Sequence, residues 1–389
     1  MKPQNAHSKA ISATEAARIL GVRRTTLYTY VSRGWLQSLP GRNRRERRYL
    51  RSEVEALRDR AEAGKGHKAV ATRAIGWGHP VIDTAISAFT PDGPAYRGVL
   101  ARDLIPRGFD ATCAHLWGLP ALPRAHAPWQ PAPAHPTPIP RLAAVVAQVG
   151  LEPPTSPAAF LRRCALSLVP PDRARAATTS PTIAGIVALA LDAPVEPIDA
   201  ALVWCADHGL NASTFAARVA ASTGAALPAV VGAGLAALSG PGHGTASVAV
   251  QAFLDDVATE CTDGWGPELA TREVVSRLHA AGLAPPSLGH PLYPGGDPRG
   301  TDLLARARAL AGGRFVGVVA DTLASLGSPP PDLDFGLVAL CRALTLPDHA
   351  PPTLFAIGRM AGWIAHMHEE RSRGQLIRPR SRYIGPPIR

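Results

Sequence analysis

The sequence predicts a mainly α-helical protein in which a small basic domain precedes a larger helical body. Beyond residue 140 the 389-residue chain is a series of alanine-rich segments separated by Pro or Gly, with few runs typical of strands. Residues 1–66 hold 15 Lys and Arg against 6 Asp and Glu, so they carry nearly all of the net charge of +11. The same region shows two short helical patterns joined by a glycine turn, which is typical of a nucleic-acid-binding module.

Composition limits the class of protein before any motif is considered. With 46% hydrophobic residues, the chain has the length and composition to form two or three domains with sizeable cores. Its five cysteines are far apart, without metal-ligand spacing, which indicates reduced thiols and no structural metal. The N-terminus lacks an apolar stretch, and the most apolar run, 225–238, is too short to span a membrane. We therefore expect a cytoplasmic protein.

The N-terminal 66 residues form the first predicted domain. Ser12 and Glu15 have the spacing of a capping box, and apolar residues follow at helical intervals until Gly21. A second helix follows, in which Leu27 and Val31 lie four residues apart and face a core. The stretch PGRNRRERRYL, with five arginines, then predicts a polar hairpin before a third short helix.

This order resembles the winged helix-turn-helix of the excisionase and mercury-resistance-regulator type over residues 10–62. In that type the second helix enters the major groove and the wing contacts phosphate. The alternative is a small three-helix domain whose arginines form a solvated face, or a dimerisation unit. The candidate DNA contacts lie on the outer face of the second helix and on the wing: Arg23, Arg24, Thr25, Tyr28, Arg33, Arg44, Arg45 and Arg47.

A proline-rich stretch interrupts the body. Residues 119–141 contain eight prolines, so we predict an extended surface crossing and no regular helix there. The stretch suggests no chemical role.

The segment HGLNASTFAARVAASTG, residues 208–224, predicts a helix and leaves one residue unexplained. Asn211 or Ser213 can cap the helix, and Gly224 can end it in a left-handed turn. His208 contributes to none of these functions. Further stretches place His, Asp or Arg beside Gly or Pro, where backbone can approach a ligand closely. They are SGPGHGTAS at 239–247, SLGHPLYPGGDPRG at 287–300, PPPDLDFGLVAL at 329–340, FAIGRMAGW at 355–363 and LIRPRSRYIG at 376–385.

Taken in order, these stretches resemble citrate synthases from about Asp83 to the C-terminus, with a poorly matched middle region. The resemblance implies a homodimer of two-domain helical bodies, residues 67–389. The large domain would be 67–243 with 346–389, and the small domain 244–345. The active site would lie in the cleft between them and close on the substrate.

The resemblance also implies roles for individual residues. His243 would hydrogen-bond the thioester oxygen of acetyl-CoA, His290 would polarise and protonate the oxaloacetate carbonyl, and Asp334 would remove the methyl proton. Three arginines would hold the substrate's carboxylates: Arg299, Arg359 and Arg378, with Arg378 expected from the partner subunit. His208 would be a further oxaloacetate ligand.

General chemistry supports these residue types. A thioester methyl is far less acidic than a carboxyl with a reference pKa of about 3.9, so Asp334 needs simultaneous stabilisation of the enolate oxygen. His243 precedes an apparent helix whose positive end disfavours a protonated imidazole. Alternatives remain for each group. The histidines could be structural, Asp334 or its neighbour Asp332 could be a loop carboxylate after the proline run, and the arginines could be ion-paired at a dimer interface.

Departures from the family pattern lie on the coenzyme A side of the expected site. The family's G-P-x-H-G-G-A-N is GPGHGTAS here, and D-F-Y-S is DFGLV. SLGH lacks the usual glycine-aromatic-glycine, and Pro294 stands where a basic residue is common. The His and Arg positions expected to bind oxaloacetate are all present.

The predicted reaction is condensation of acetyl-CoA, or a related acyl-CoA, with oxaloacetate to give citrate and free coenzyme A, without a metal or redox cofactor. The alternative is a DNA-binding transcription regulator whose synthase-like body senses a CoA ester or a dicarboxylate. Retention of the base and both histidines favours the enzyme. The charge asymmetry and the helix-turn-helix favour the regulator or a bifunctional protein.

Overall fold

The computed structural model describes most of the body and part of the N-terminal region. The described residues are 10–20, 22, 26–27, 30–31, 36, 38–40, 47–51, 53–55, 81–133, 135, 137–152, 156–240, 243–244, 246–262, 264–379 and 385. The chain divides into two units, residues 1–81 with 379–389, and residues 82–378.

The N-terminal unit combines a helix with a small antiparallel sheet. Strands β1 (Ala10–Ser12), β2 (Leu39–Pro40) and β3 (Arg47–Leu50) pair in the order β1-β3-β2, and helix α1 spans Ala13–Leu20. Ser12 Oγ accepts a hydrogen bond from the Glu15 amide at 3.2 Å, which confirms the predicted helix start. The pairing of β2 with β3 confirms the hairpin, whereas β1 was not predicted.

Most of the candidate DNA contacts lie outside the described residues. Arg47 is described, and it is exposed at the start of β3. The other seven lie outside the described part of the chain: Arg23, Arg24, Thr25, Tyr28, Arg33, Arg44 and Arg45.

The second unit is mainly α-helical, as predicted. It begins with an antiparallel sheet of β4 (Ser87–Thr90), β5 (Gly93–Tyr96) and β6 (Val99–Leu100). Its helices are α2 (Ala101–Leu104), α3 (Phe109–Trp117), α4 (Pro138–Val149), α5 (Pro157–Ser167), α6 (Ala174–Thr179), α7 (Ile183–Leu191), α8 (Val195–Cys205), α9 (Ala212–Ser222), α10 (Leu227–Leu238), α11 (Ala246–Thr262), α12 (Pro267–Ala280), α13 (Pro298–Ala309), α14 (Arg314–Ser325), α15 (Leu333–Ala343) and α16 (Ala350–Arg373). Among the described residues, no helix combines the length and apolar character needed to cross a membrane.

The proline-rich stretch is only partly as predicted. Its described residues up to Pro133 have no regular structure, but α4 begins at Pro138, so the prediction of no helix was wrong for residues 138–141. Proline is tolerated in a first helical turn because the amide hydrogens there have no intrahelical acceptor. Trp129 packs against the core, and its Nε1 donates to Val169 O at 3.1 Å.

Helix α16 passes unusually close to the end of α8. A Cβ at Gly358 would lie 2.6 Å from Cys205 Cβ, and one at Gly362 would lie 2.5 Å from Ala206 O. The Gly362 amide instead donates a hydrogen bond to that carbonyl at 2.9 Å. The backbones approach this closely because both positions on α16 lack a side chain.

Replacing Gly362 by Ala is expected to destabilise this crossing. The added methyl group would meet backbone that cannot move without separating the helices, so the free energy of unfolding should fall by about 2 kcal/mol or more. Gly232→Ala in α10 is the matched control, because its Cβ would have its nearest neighbour at 3.8 Å. This control should leave stability unchanged or raise it by up to about 1 kcal/mol. Equal effects in urea unfolding would contradict the interpretation.

Candidate active site

Two of the predicted histidines lie against each other. The His208 and His290 rings are perpendicular, with centroids 5.2 Å apart. His208 follows α8 and is 9% exposed, and the Phe89 ring from the β4–β5 hairpin covers it at 4.8 Å. Tyr293 completes the cluster, with its hydroxyl 3.1 Å from His208 Nε2. Neither Phe89 nor Tyr293 was singled out from the sequence.

Backbone pairing brings His290 next to the predicted base. The Gly289 amide donates to Pro330 O at 2.8 Å, and the Asp332 amide donates to Ser287 O at 3.1 Å. The turn that carries His290 is thereby attached to the segment that starts α15. Asp332 caps that helix by accepting from the Asp334 amide at 3.0 Å, which places Asp334 in the first turn.

Asp334 has a carboxyl group suited to proton transfer at neutral pH. Burial raises its pKa to about 7, assisted by the neighbouring carboxylate of Asp332 and opposed by the guanidinium groups of Arg299 and Arg359. The neighbouring Asp332 is occupied as the helix cap. Its position therefore favours a structural role, and Asp334 remains the candidate base.

Arg299 is buried and already neutralised. Its Nε and Nη2 donate to the two carboxylate oxygens of Asp297 at 2.9 and 2.7 Å. Asp297 also accepts from the amides of Arg299 and Leu333, so it ties α13 to the start of α15. The Arg299 guanidinium lies over the Tyr293 ring at 5.5 Å.

Arg359 differs from the other buried arginines. Within the described residues, four arginines are buried, and three of them have a carboxylate partner: Arg163 with Glu152, Arg218 with Glu369 and Glu370, and Arg299 with Asp297. Arg359 is 1% exposed, yet no carboxylate of the described chain lies within ion-pair distance of it. Its Nε donates to Cys205 O at 2.8 Å, and its terminal nitrogens donate to no group in the described residues. A buried unpaired charge is costly, so this position favours an anionic ligand.

His243 is joined to this cluster through an aromatic ring. Its ring centroid lies 6.3 Å from that of Phe355, and the Arg359 guanidinium lies over the same Phe355 ring at 4.5 Å. His243 Nε2 is 2.8 Å from Ser213 Oγ, which can instead donate to Asn211 Oδ1 at 2.9 Å. When Ser213 donates to His243, the hydrogen of the neutral imidazole is on Nδ1, where it can be donated to a ligand.

The three histidines share an environment that favours their neutral form. Burial, followed by the charge of Arg359, lowers the pKa of His243 to about 4. Burial and then Arg299 lower the pKa of His208 well below its usual value, and the same two causes lower that of His290. The sequence argument for a neutral His243 relied on the end of α11. In the structure, burial and a guanidinium are the causes.

A buried polar network lies next to His208 and was not predicted from the sequence. Asp207 is fully buried, and its carboxylate accepts from the Ser87 hydroxyl, the Gly209 amide and His366 Nε2. His366 Nδ1 in turn accepts from Arg218 at 3.1 Å. These contacts join residues far apart in sequence, so no local motif could reveal them. The network fixes the backbone on both sides of His208.

Arg378 is the predicted site residue that the structure does not bring into this cluster. It is exposed on the segment after α16, and within the described residues it forms no hydrogen bond with the histidine cluster. The described part of the chain also contains no group of three or more His, Cys, Asp or Glu side chains placed to hold a metal ion.

Comparison with known proteins agrees with this geometry. The family described as citrate synthase, C-terminal domain, matches residues 190–380, which include every clustered site residue. This region is therefore similar to the citrate synthase family. The helix-turn-helix domain family matches residues 11–61, so the resemblance inferred for the N-terminal unit is confirmed as well.

Individual relatives and structures support the same assignment. A protein named putative citrate synthase 2 from Mycobacterium tuberculosis is 36% identical over 201 residues, which are 49% of this chain and 52% of that protein. The chain thus spans about half the length of the curated relatives it matches. The citrate synthase structure from Thermotoga maritima has a TM-score of 0.61 at 23% identity, over 79% of this chain and 94% of that one. The Thermoplasma acidophilum citrate synthase in ternary complex with carboxymethyl coenzyme A and oxaloacetate has a TM-score of 0.63 at 19% identity, over 80% and 96% of the two chains. At these identities the structures establish the citrate synthase fold.

The charge balance of the second unit predicts different effects for two buried arginines. Arg359→Met removes a charge that has no carboxylate within ion-pair distance in the described residues, so the free energy of unfolding without ligand should stay within about 1 kcal/mol of the wild-type value. Arg218→Met is the matched control. It leaves the buried Glu370 and the half-buried Glu369 without this partner and should cost about 3 kcal/mol. A large loss in Arg359→Met would show that protein groups already compensate its charge.

Proposed function

We propose that the citrate synthase domain condenses an acyl-CoA, with acetyl-CoA as the first candidate, with oxaloacetate to form citrate and free coenzyme A. The observation that carries this proposal is the unpaired, buried guanidinium of Arg359 beside neutral imidazoles and a carboxyl group with a pKa of about 7. Such a site combines an anion-binding group, hydrogen-bond donors and a base, which is what the condensation requires.

The arginines support binding of a dicarboxylate. The terminal nitrogens of Arg359 can form a bidentate pair with one carboxylate, and Arg299 has one terminal nitrogen that Asp297 does not engage. We further propose a homodimer in which Arg378 of the partner subunit supplies another guanidinium. Its exposure in the single chain is compatible with that role. Holding both carboxylates would orient the keto group toward the histidines.

The base and donors then support a two-stage reaction. Asp334 takes a proton from the acyl methyl group while His243 donates a hydrogen bond to the thioester oxygen as it becomes an enolate oxygen. The enolate carbon attacks the keto carbon, and the keto oxygen takes a proton from His290. The proton held by Asp334 then returns to His290 through water, which restores both groups. Water then cleaves the resulting thioester, which releases the product acid and the coenzyme A thiol. The fold is similar to that of the Thermoplasma acidophilum enzyme, which is described as a ternary complex with carboxymethyl coenzyme A and oxaloacetate, and this similarity supports the two proposed classes of substrate.

Thiol release tests the proposal directly. We expect purified protein to release thiol from acetyl-CoA only when oxaloacetate is present, and Asp334→Asn to lower kcat by about 1,000-fold. Because the raised pKa keeps Asp334 protonated at low pH, kcat/KM should rise with pH and reach half of its plateau near pH 7.

The control is Asp256→Asn, which makes the same chemical change at an exposed position on α11 and should leave kcat unchanged. Propionyl-CoA serves as the second acyl donor. Absence of oxaloacetate-dependent thiol release with both donors would contradict the proposed reaction.

The helix-turn-helix match favours a second candidate function, which is DNA binding by the N-terminal unit. That unit carries most of the positive charge, and the match covers residues 11–61. A regulator in this arrangement would use the synthase body to sense a CoA ester or a dicarboxylate, and both functions could coexist in one chain.

Arg47 provides the described position for testing DNA contact. Arg47→Ala should weaken binding about equally for different DNA sequences and reduce the salt dependence, the slope of log K against log salt, by about 1. The control is Arg102→Ala, an exposed arginine in the other unit. Salt-titrated fluorescence anisotropy measures both quantities, and identical slopes for the two variants would argue against a phosphate contact at Arg47.

A further inference from the structure

The turn from His290 to Tyr293 contacts both imidazoles of the central pair. The Tyr293 amide donates to His290 O at 2.9 Å, which closes the turn, and the Leu292 amide lies 3.1 Å from His290 Nδ1. An amide nitrogen is only a donor, so Nδ1 must be the acceptor in this contact. A neutral His290 therefore carries its hydrogen on Nε2.

Tyr293 has the corresponding contact with His208. Its side chain is buried, and its hydroxyl is 3.1 Å from His208 Nε2. Either group could donate in principle, but the two arrangements differ in strength. A phenol, with a reference pKa of about 10, is a better donor than neutral imidazole, and an imidazole nitrogen is a far better acceptor than a phenol oxygen. The favoured arrangement has Tyr293 donating to Nε2, which leaves the hydrogen of His208 on Nδ1.

The surroundings are compatible with that arrangement. Burial raises the pKa of Tyr293 to about 12, so the hydroxyl keeps its hydrogen. Burial and Arg299 lower the pKa of His208 well below its usual value, so the ring stays neutral and Nε2 remains an acceptor. Within the described residues, His208 Nδ1 has no protein partner.

We propose that Tyr293 is a positioning residue that locks His208 in the Nδ1–H tautomer, while the Leu292 amide of the same turn locks His290 in the Nε2–H tautomer. Contacts from one four-residue turn thereby keep both neutral imidazoles, His290 in the turn and His208 next to it, as hydrogen-bond donors. A site lined by two N–H donors and guanidinium groups suits a ligand whose polar atoms are acceptors, such as the keto and carboxylate oxygens of a keto diacid. The choice of ligand rests on the proposed function, whereas the assignment of the two tautomers does not depend on it.

Nitrogen NMR of the full-length chain labelled with ¹⁵N-histidine reports the tautomers directly, since protonated and unprotonated ring nitrogens have well-separated shifts. The signals of His208 and His290 are assigned by their absence from the spectra of the variants His208→Gln and His290→Gln. In the unliganded wild type we expect Nδ1 to be protonated in His208 and Nε2 in His290. Protonation of Nε2 in wild-type His208 would overturn the proposal, and this result requires no variant of Tyr293.

Tyr293→Phe keeps the ring and removes only the hydroxyl. We expect His208 to shift toward Nε2–H and His290 to remain Nε2–H, because its donor is a backbone amide. Tyr49→Phe is the control, since it removes a hydroxyl from a buried tyrosine of the N-terminal unit, which contains neither imidazole. An unchanged His208 in Tyr293→Phe, or an equal change in Tyr49→Phe, would overturn the proposal. Thiol release is measured separately, so a failed reaction and a failed tautomer assignment remain distinguishable.

Discussion

The close approach of helix α16 to the end of α8 is the constraint on which the candidate site depends. Gly358 and Gly362 allow the two backbones to meet, and the Gly362 amide bonds to Ala206 O at 2.9 Å. Arg359 lies between these glycines and bonds to Cys205 O, so the same crossing positions a buried guanidinium. The chain leaves α8 immediately afterwards, and its next residues include His208. A side chain at either glycine would move the arginine and the histidine together.

Charge is balanced almost everywhere around this crossing. Asp207 is held by Ser87, the Gly209 amide and His366, and the remaining buried arginines have carboxylates. Arg359 has no carboxylate within ion-pair distance in the described residues, and Asp207 stabilises its charge only at longer range. The charge of Arg359 therefore acts on the nearby titratable groups and helps to keep the imidazoles neutral. Burial has the opposite effect on Asp334 and raises its pKa toward neutrality. The environment thus lowers the pKa of the imidazoles, which become neutral hydrogen-bond donors, and raises the pKa of Asp334, which becomes a base near neutral pH. Such opposite pKa shifts are the usual basis for assigning acids and bases in enzymes.

Local sequence signals predicted the parts of the fold that depend on neighbouring residues. The Asn211 cap, the left-handed Gly224 after α9 and the Ser12 cap are examples, since each lies within a few residues of the group that it satisfies. Ordered motifs also identified the clustered His, Arg and Asp residues, because each lies beside Gly or Pro in a distinctive stretch. The start of α4 at Pro138 was missed because the number of prolines was taken to exclude a helix, although proline is tolerated in the first turn of a helix.

Other parts of the site depend on contacts between distant residues and had no local signal. Tyr293 and Phe89 reach His208 from separate segments, and the Asp207 network joins α8, α9, α16 and the β4–β5 hairpin. The cause of the lowered pKa of His243 is also non-local, since Arg359 lies more than a hundred residues away in sequence. Such arrangements become visible only when the packing is known.

The central claim is that a keto diacid occupies the space next to Arg359, with its keto oxygen facing the imidazole pair. A crystal structure of the protein with oxaloacetate tests this most directly. We expect one ligand carboxylate to pair with the terminal nitrogens of Arg359 and the keto oxygen to lie within hydrogen-bond distance of His290 Nε2. Oxaloacetate bound elsewhere, or an Arg359 guanidinium that remains without an anionic partner at saturating ligand, would contradict it.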